Sequence, residues 1–121
     1  MNEIEIAWLA GYLEGEGCFG IYNSKNNDYP SIHVATTDLD ILYKVKELMN
    51  TNSFSSDLRT GKNGWKRTYR TISFGEKSIT TMKEILPHMG ERRTKKILEI
   101  IEAWKNRKET TRAYSRHPND R

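Results

Sequence analysis

WLAGYLEGEG, residues 8–17, places three glycines and two glutamates where a helix is coming to its end. A helix that had only to pack would avoid Gly11 and Gly15, since each costs up to ~1 kcal/mol relative to alanine in a helix interior. Four residues apart, they lie on the same side and leave a flat strip of bare backbone, along which a second helix can approach closely. Glu16 follows at the helix end, where unpaired carbonyls already carry partial negative charge. Another negative charge there is unfavourable unless a cation neutralises it. A hard divalent ion does so, because it accepts carboxylate and carbonyl oxygens and keeps several waters.

Working outward, residues 3–15 read as one helix, with Asn2 as cap, Glu3 and Glu5 at the positive end of the dipole, and Ile4, Trp8, Leu9, Tyr12 and Leu13 on the helical period. CFGIYNS and PSIHVATT alternate around the turn-forming KNNDYP, which predicts a β-hairpin. TDLDILYKVKELM predicts a second helix. SFSSDLR and WKRTYRTISF, joined by TGKNG, predict a second hairpin. KSITTMKEIL is helical up to Pro87, and GERRTKKILEIIEAWKNRK sets Ile97, Ile100, Ile101 and Trp104 on one stripe. The expected fold is α+β, in the order α-ββ-α-ββ-α-α, with a four-stranded antiparallel sheet. Residues 1–107 form the single domain, and residues 108–121 are expected to be a polar, basic, flexible tail.

Helices must cover one face of such a sheet, and the other is free for work. Alternation assigns Phe19, Ile21, Ile32 and Val34 to the covered face, with Cys18, Gly20, Tyr22, Ser24, Ser31, His33, Ala35 and Thr37 open. In the fourth strand Ile72 and Phe74 set the buried phase, which leaves Arg67, Tyr69, Thr71 and Ser73 open. A polar, lightly basic face of this width suits a nucleic-acid groove, which admits a two-stranded ribbon.

Whole-chain properties narrow the partners. The 121 residues suit one domain. Net charge is +4, but it is segregated: residues 1–58 carry −6 and residues 59–121 carry +10, as a polyanion-binding surface requires. The single cysteine, Cys18, excludes an internal disulfide and a cysteine zinc cluster and fits a reducing compartment. No uninterrupted apolar run approaches the ~20 residues that span a bilayer, so no membrane is expected as a partner. The expected location is the cytoplasm, with an organellar or phage-encoded origin compatible.

LAGYLEGEG, the wider WLAGYLEGEGCFGI, the element order and LPHMGERRTKKILEIIEAW together resemble the single-motif members of the LAGLIDADG homing endonuclease family, over about residues 4–107. The resemblance implies a saddle-shaped sheet and a homodimer joined through the first helix at Leu9, Gly11, Tyr12 and Gly15. It also implies a divalent ion, Mg²⁺ or Mn²⁺, bound by Glu16 and the Gly15 carbonyl. Many members have Asp at the position of Glu16. Glu14 is expected to support the helix end rather than to bind metal.

The implied activity is metal-dependent phosphodiester hydrolysis of both strands of a long palindromic or pseudo-palindromic DNA site. Arg92 or Arg93, with Thr37 or Asp38, correspond to the family's nearby catalytic residues. Arg92, Arg93, Lys95 and Lys96 also begin a helix, the wrong end for cations by ~0.3–1 kcal/mol each, and a phosphate nearby reverses that penalty. Tyr22, Ser24, His33, Arg59, Lys66, Arg67, Tyr69, Arg70 and Thr71 are the expected DNA contacts. Two other functions fit the same scaffold: an intron RNA maturase, which needs a basic patch away from the saddle, and a DNA-binding regulator without cleavage, against which Glu16 argues.

Overall fold

The computed structural model describes residues 1–24, 27–61 and 64–114, with side chains at all of these except 23–24, 27, 59–61, 64–65 and 108–114. Helix α1, Glu3–Glu16, begins in a reciprocal capping box: Glu5 N–H donates to the Asn2 side chain at 2.8 Å, and Asn2 N–H donates to Glu5 Oε1 at 2.9 Å. Gly17 ends it, donating to the Leu13 carbonyl. A Cβ on Gly17 would lie 2.8 Å from that carbonyl oxygen and 2.9 Å from Leu13 Cδ2, so only glycine fits there.

Strands β1, Cys18–Ser24, and β2, Asn27–Thr36, pair with Phe19 opposite Ile32 and Cys18 opposite His33. The hairpin is tighter than KNNDYP suggests, because Asn27 through Pro30 join the ladder. Helix α2, Leu39–Leu48, ends with Asn50 at φ 55, a left-handed position that asparagine tolerates better than most residues. Strands β3, Ser55–Gly61, and β4, Gly64–Phe74, follow, then α3, Glu76–Ile85, a 3-10 turn at Leu86–His88, and α4, Glu91–Tyr114. The sheet order is β1-β2-β4-β3, antiparallel throughout. All expected elements are present. Helix α4 continues through Tyr114, past the expected start of a flexible tail at 108, since nothing in KETTRAY breaks a helix. Residues 115–121 of that tail lie outside the described residues.

The core joins Leu9 and Leu13 of α1, Phe19, Ile32 and Val34 of the sheet, Leu42 and Val45 of α2, Ile79, Met82 and Ile85 of α3, and Ile97 and Ile100 of α4. The directions of β1 and β2 agree with the alternation, although Ile21 is 42% exposed near the hairpin's end and Ser31, expected to be open, is buried at 7% exposure.

The phase of β4 is opposite to the expected one. Val34 pairs with Thr71 and Ile32 with Ser73, which puts both small polar residues under the helices, each 1% exposed. Ile72 and Phe74 turn to the open face instead. Two hydrogen bonds to the Pro30 carbonyl, from Gly75 N–H at 3.0 Å and Ser78 Oγ at 3.0 Å, hold the end of the strand in this register. Gly75 turns the chain into α3 at φ 75, where a side chain would be strained. Where β3 does not reach, Thr51 Oγ1 donates to the Ile72 carbonyl at 2.8 Å and Thr71 Oγ1 donates to the Ser53 carbonyl at 2.7 Å.

Among the described residues, Ser73 Oγ is buried without a hydrogen-bond partner. Such a hydroxyl costs roughly 1–3 kcal/mol in folded proteins. Ser73→Ala is therefore expected to stabilise the fold by about 1 kcal/mol, a rise of roughly 4 °C in Tm by calorimetry. A lower Tm would contradict the register.

Candidate functional site

Three chain segments meet where α1 ends. The first is Glu14-Gly15-Glu16. The second is the start of α4, tied to the first by the Glu14 carboxylate, whose Oε1 accepts Gly90 N–H at 2.6 Å. Gly90 is the residue whose carbonyl accepts the first helical bond of α4, from Thr94 N–H, so Glu14 caps α4 from a neighbouring helix. A Cβ on Gly90 would press on Glu14 Oε1 at 3.1 Å. Arg93 completes the tie: its Nε donates to the Glu14 carbonyl at 3.2 Å, lies 3.7 Å from Glu14 Oε2, and its guanidinium stands 5.6 Å from the Phe19 ring centre. Arg93 is half-buried by this work, whereas Arg92, Lys95 and Lys96 are exposed.

The third segment is the junction of β2 and α2. Thr36 Oγ1 accepts Asp38 N–H at 3.1 Å, and the Thr36 side chain hydrogen-bonds the Tyr12 phenol. Burial pushes the Tyr12 phenol above its usual range; the hydrogen bond with Thr36 opposes this, and the charges of Glu16 and Asp38 add to the rise. The Tyr12 ring stacks on Trp8 at 5.5 Å, and Lys44 Nζ lies 4.0 Å from the Trp8 ring centre.

Glu16, Asp38 and Arg93 thus gather around one helix end, with Thr37 and Arg92 exposed beside it. Among the described residues no three His, Cys, Asp or Glu side chains form a metal-holding group. A cation here would have Glu16, the Gly15 carbonyl and water.

Helix α1 has two different sides. Leu9, Ala10 and Leu13 are buried in the core, which removes Leu9 from the expected interface. Ile4, Ala7, Gly11 and Gly15 are exposed, Ile4 at 81%, and no atom of the described residues lies within 4 Å of a Cβ built on Gly11 or Gly15. Tyr12 lies half-buried at the margin. Ile4, expected on the same stripe as Leu9 and Leu13, instead shares the outward side with Ala7 and Gly11, at i−7 and i−4 from Gly11.

The open sheet face carries Tyr22, His33, Lys66 and Arg70 from the expected contacts, and the register adds Thr68 of β4. Arg70 is ion-paired with Asp57, in phase on β3. Arg67 and Tyr69 are corrected to the helix side. Arg67 donates to Ser56 Oγ at 3.1 Å, and Tyr69 packs against the core and near Phe54, at 6.2 Å between ring centres. Thr71 is buried there too and leaves the set of open contacts. The side chains of Ser24 and Arg59 lie outside the described residues. A cleft of about 290 Å³ between the first hairpin and α4, lined by Ile21, Pro30, Trp104 and Arg107, includes none of the site residues.

A family model described as a LAGLIDADG-like domain matches residues 3–87. Among solved structures, the homing endonuclease I-CvuI in complex with its target in the presence of 2 mM Ca is similar at 22% identity and a TM-score of 0.56, over 87% of this chain and 70% of that one. The LAGLIDADG meganuclease I-AabMI bound to uncleaved DNA is similar at 19% identity and a TM-score of 0.52, and the match covers 90% of this chain but only 38% of that one. Among curated proteins none matches.

One substitution removes the Glu14 carboxylate from Gly90 N–H and from Arg93, while the bond from Arg93 to the Glu14 backbone carbonyl stays in place. Glu14→Ala is expected to destabilise the protein by roughly 2 kcal/mol, as for hydrogen bonds to charged groups. Urea unfolding with an unchanged midpoint would contradict that role.

Proposed function

We propose that this chain, which belongs to the LAGLIDADG family, is a site-specific double-strand DNA endonuclease working as a homodimer on a palindromic or pseudo-palindromic site. The observation that carries the reading is the pairing of two features of one helix: an exposed carboxylate at its carboxyl end and an open strip of Ile4, Ala7, Gly11 and Gly15 along its outer side. Apolar on both sides, α1 is the kind of helix that is buried all round. A second copy related by a two-fold axis buries the outer strip and brings a second Glu16 to the same place.

The donors fit a hard divalent cation. They are all oxygens, they sit at the negative end of a helix, and one chain supplies too few to hold an ion tightly. Glu16 and the Gly15 carbonyl of each copy would hold it. Bound there, Mg²⁺ or Mn²⁺ supplies an acidified water and charge neutralisation for in-line phosphodiester hydrolysis. The chain's own residues set the geometry. Arg93 is a positioning residue, fixing α4 against the end of α1, and Arg92, Lys95 and Lys96 meet phosphate oxygens. Asp38 and Tyr12 orient water beside Glu16.

The open sheet face lies along the major groove. Lys66, Arg70 and His33 meet base edges, where an arginine on guanine discriminates by ~1–3 kcal/mol. Asp57 holds the Arg70 fork in place for that contact. Support comes from the sheet's width and from the DNA-bound state of both similar structures.

The test uses duplexes selected from a randomised palindromic pool in Mg²⁺. Glu16→Gln is expected to lose cleavage while keeping or tightening DNA binding, since a negative charge near phosphate is removed. Undiminished metal-dependent cutting by that variant would overturn the assignment of Glu16.

A further inference from the structure

Alternation placed Phe74 in the core, but the register of β4 puts it on the open face. There it is 50% exposed and stacks on Tyr22, itself 47% exposed, with 5.8 Å between ring centres and 11° between planes. Ser31 separates the two strands beneath them, paired with Gly20 on β1 and with Phe74 on β4. Gly20 and Ser31 are small, so nothing rises beside the rings to cover them. Ile72 continues the apolar surface along β4 toward Arg70. A face that only had to be solvated would not carry two stacked rings diagonal to His33, on a strand that also presents Arg70 and Lys66 four and eight residues away.

We infer that the Tyr22–Phe74 pair is a specificity-determining contact that reads the C5-methyl group of thymine in the major groove. The inference rests on the reading of this face as the DNA-binding surface. A phenyl ring has no donor or acceptor, so Phe74 cannot read the hydrogen-bonding code of a base edge. The C5-methyl of thymine is the apolar group that the major groove offers, and apolar side chains contact it. The stack fixes both rings with few rotatable bonds, which gives a rigid apolar surface at low entropic cost. Wedging between base steps is the habit of minor-groove binders and does not suit rings lying on a broad sheet. Arg70 and Lys66, further along the same face of β4, then supply the polar part of the recognition, and the aromatic pair supplies a preference that they cannot.

The experiment replaces thymine by deoxyuridine, one symmetric pair at a time, in a duplex selected by the wild-type protein. This removes a methyl group and leaves every hydrogen-bonding group of the base. Binding is measured for the wild type and for Phe74→Ala, Phe74→Leu and Tyr22→Ala. At one or two symmetric pairs, deoxyuridine is expected to weaken wild-type binding by about fourfold per methyl lost from apolar contact. Phe74→Ala and Tyr22→Ala should bind the thymine and deoxyuridine duplexes alike, with the affinity of wild type for the deoxyuridine duplex, while Phe74→Leu keeps part of the preference. Equal affinity of the alanine variants with wild type on deoxyuridine DNA also shows that they are folded. Wild type that binds and cuts its selected duplex with no deoxyuridine effect at any position overturns this inference and leaves the endonuclease reading standing, as does a deoxyuridine effect that survives in both alanine variants. Failure to select or bind any duplex overturns both.

Discussion

Helix α1 must satisfy two surfaces at once, and the rest of the fold is arranged around that demand. Leu9, Ala10 and Leu13 are driven into the core, while Ile4, Ala7, Gly11 and Gly15 are left facing out. Core packing fixes the rotation of the helix about its axis. That rotation decides where Glu16 emerges, which backbone is left bare, and where β1 starts, one residue after Gly17. The close approach of Gly17 to Leu13 ties the end of the helix to the first strand, so the sheet inherits its placement from α1. The two glycines that weaken the helix locally are the ones that keep its outer side flat.

A second constraint ties the other end of the chain to the same point. Glu14 caps α4 through Gly90 and holds Arg93, so a helix that begins with an Arg-Arg pair has its positive end compensated from outside. This separates the two arginines that the sequence presents as equivalent. Arg93 is engaged inside the domain, and Arg92 is exposed and available to a polyanion. The sheet shows the same division on β4, where adjacent Lys66 and Arg67, like Tyr69 and Arg70, face opposite sides.

Much of this was legible in the residues. The α1 boundaries, its Asn2 cap, the element order and the faces of the first hairpin all follow from periodicity and turn chemistry. The phase of β4 was not legible. Ile72 and Phe74 outweigh Thr71 and Ser73 in any count of hydrophobicity, but β4 takes its phase from β2, and the pairing of Val34 with Thr71 is a tertiary fact. Small polar residues serve under the helices because Thr71 finds the Ser53 carbonyl, while the rings of Phe74 and Tyr22 find each other on the open side. The partner of Glu14 was equally hidden, since Gly90 is 76 residues away along the chain. Leu9 sits between the outward-facing Ala7 and Gly11 in sequence yet belongs to the core, because neighbouring residues on a helix point about 100° apart.

The central claim is that the outer side of α1 joins two copies so that each contributes a Glu16. It is tested most directly by the mass of the species bound to a selected duplex, measured by sedimentation for the wild type and for Gly11→Leu, which fills the strip without touching the core. Two chains of 14.1 kDa per duplex are predicted for wild type, and Gly11→Leu should sediment as a folded monomer that no longer cuts both strands. One wild-type chain per duplex, cutting both strands, would contradict the account.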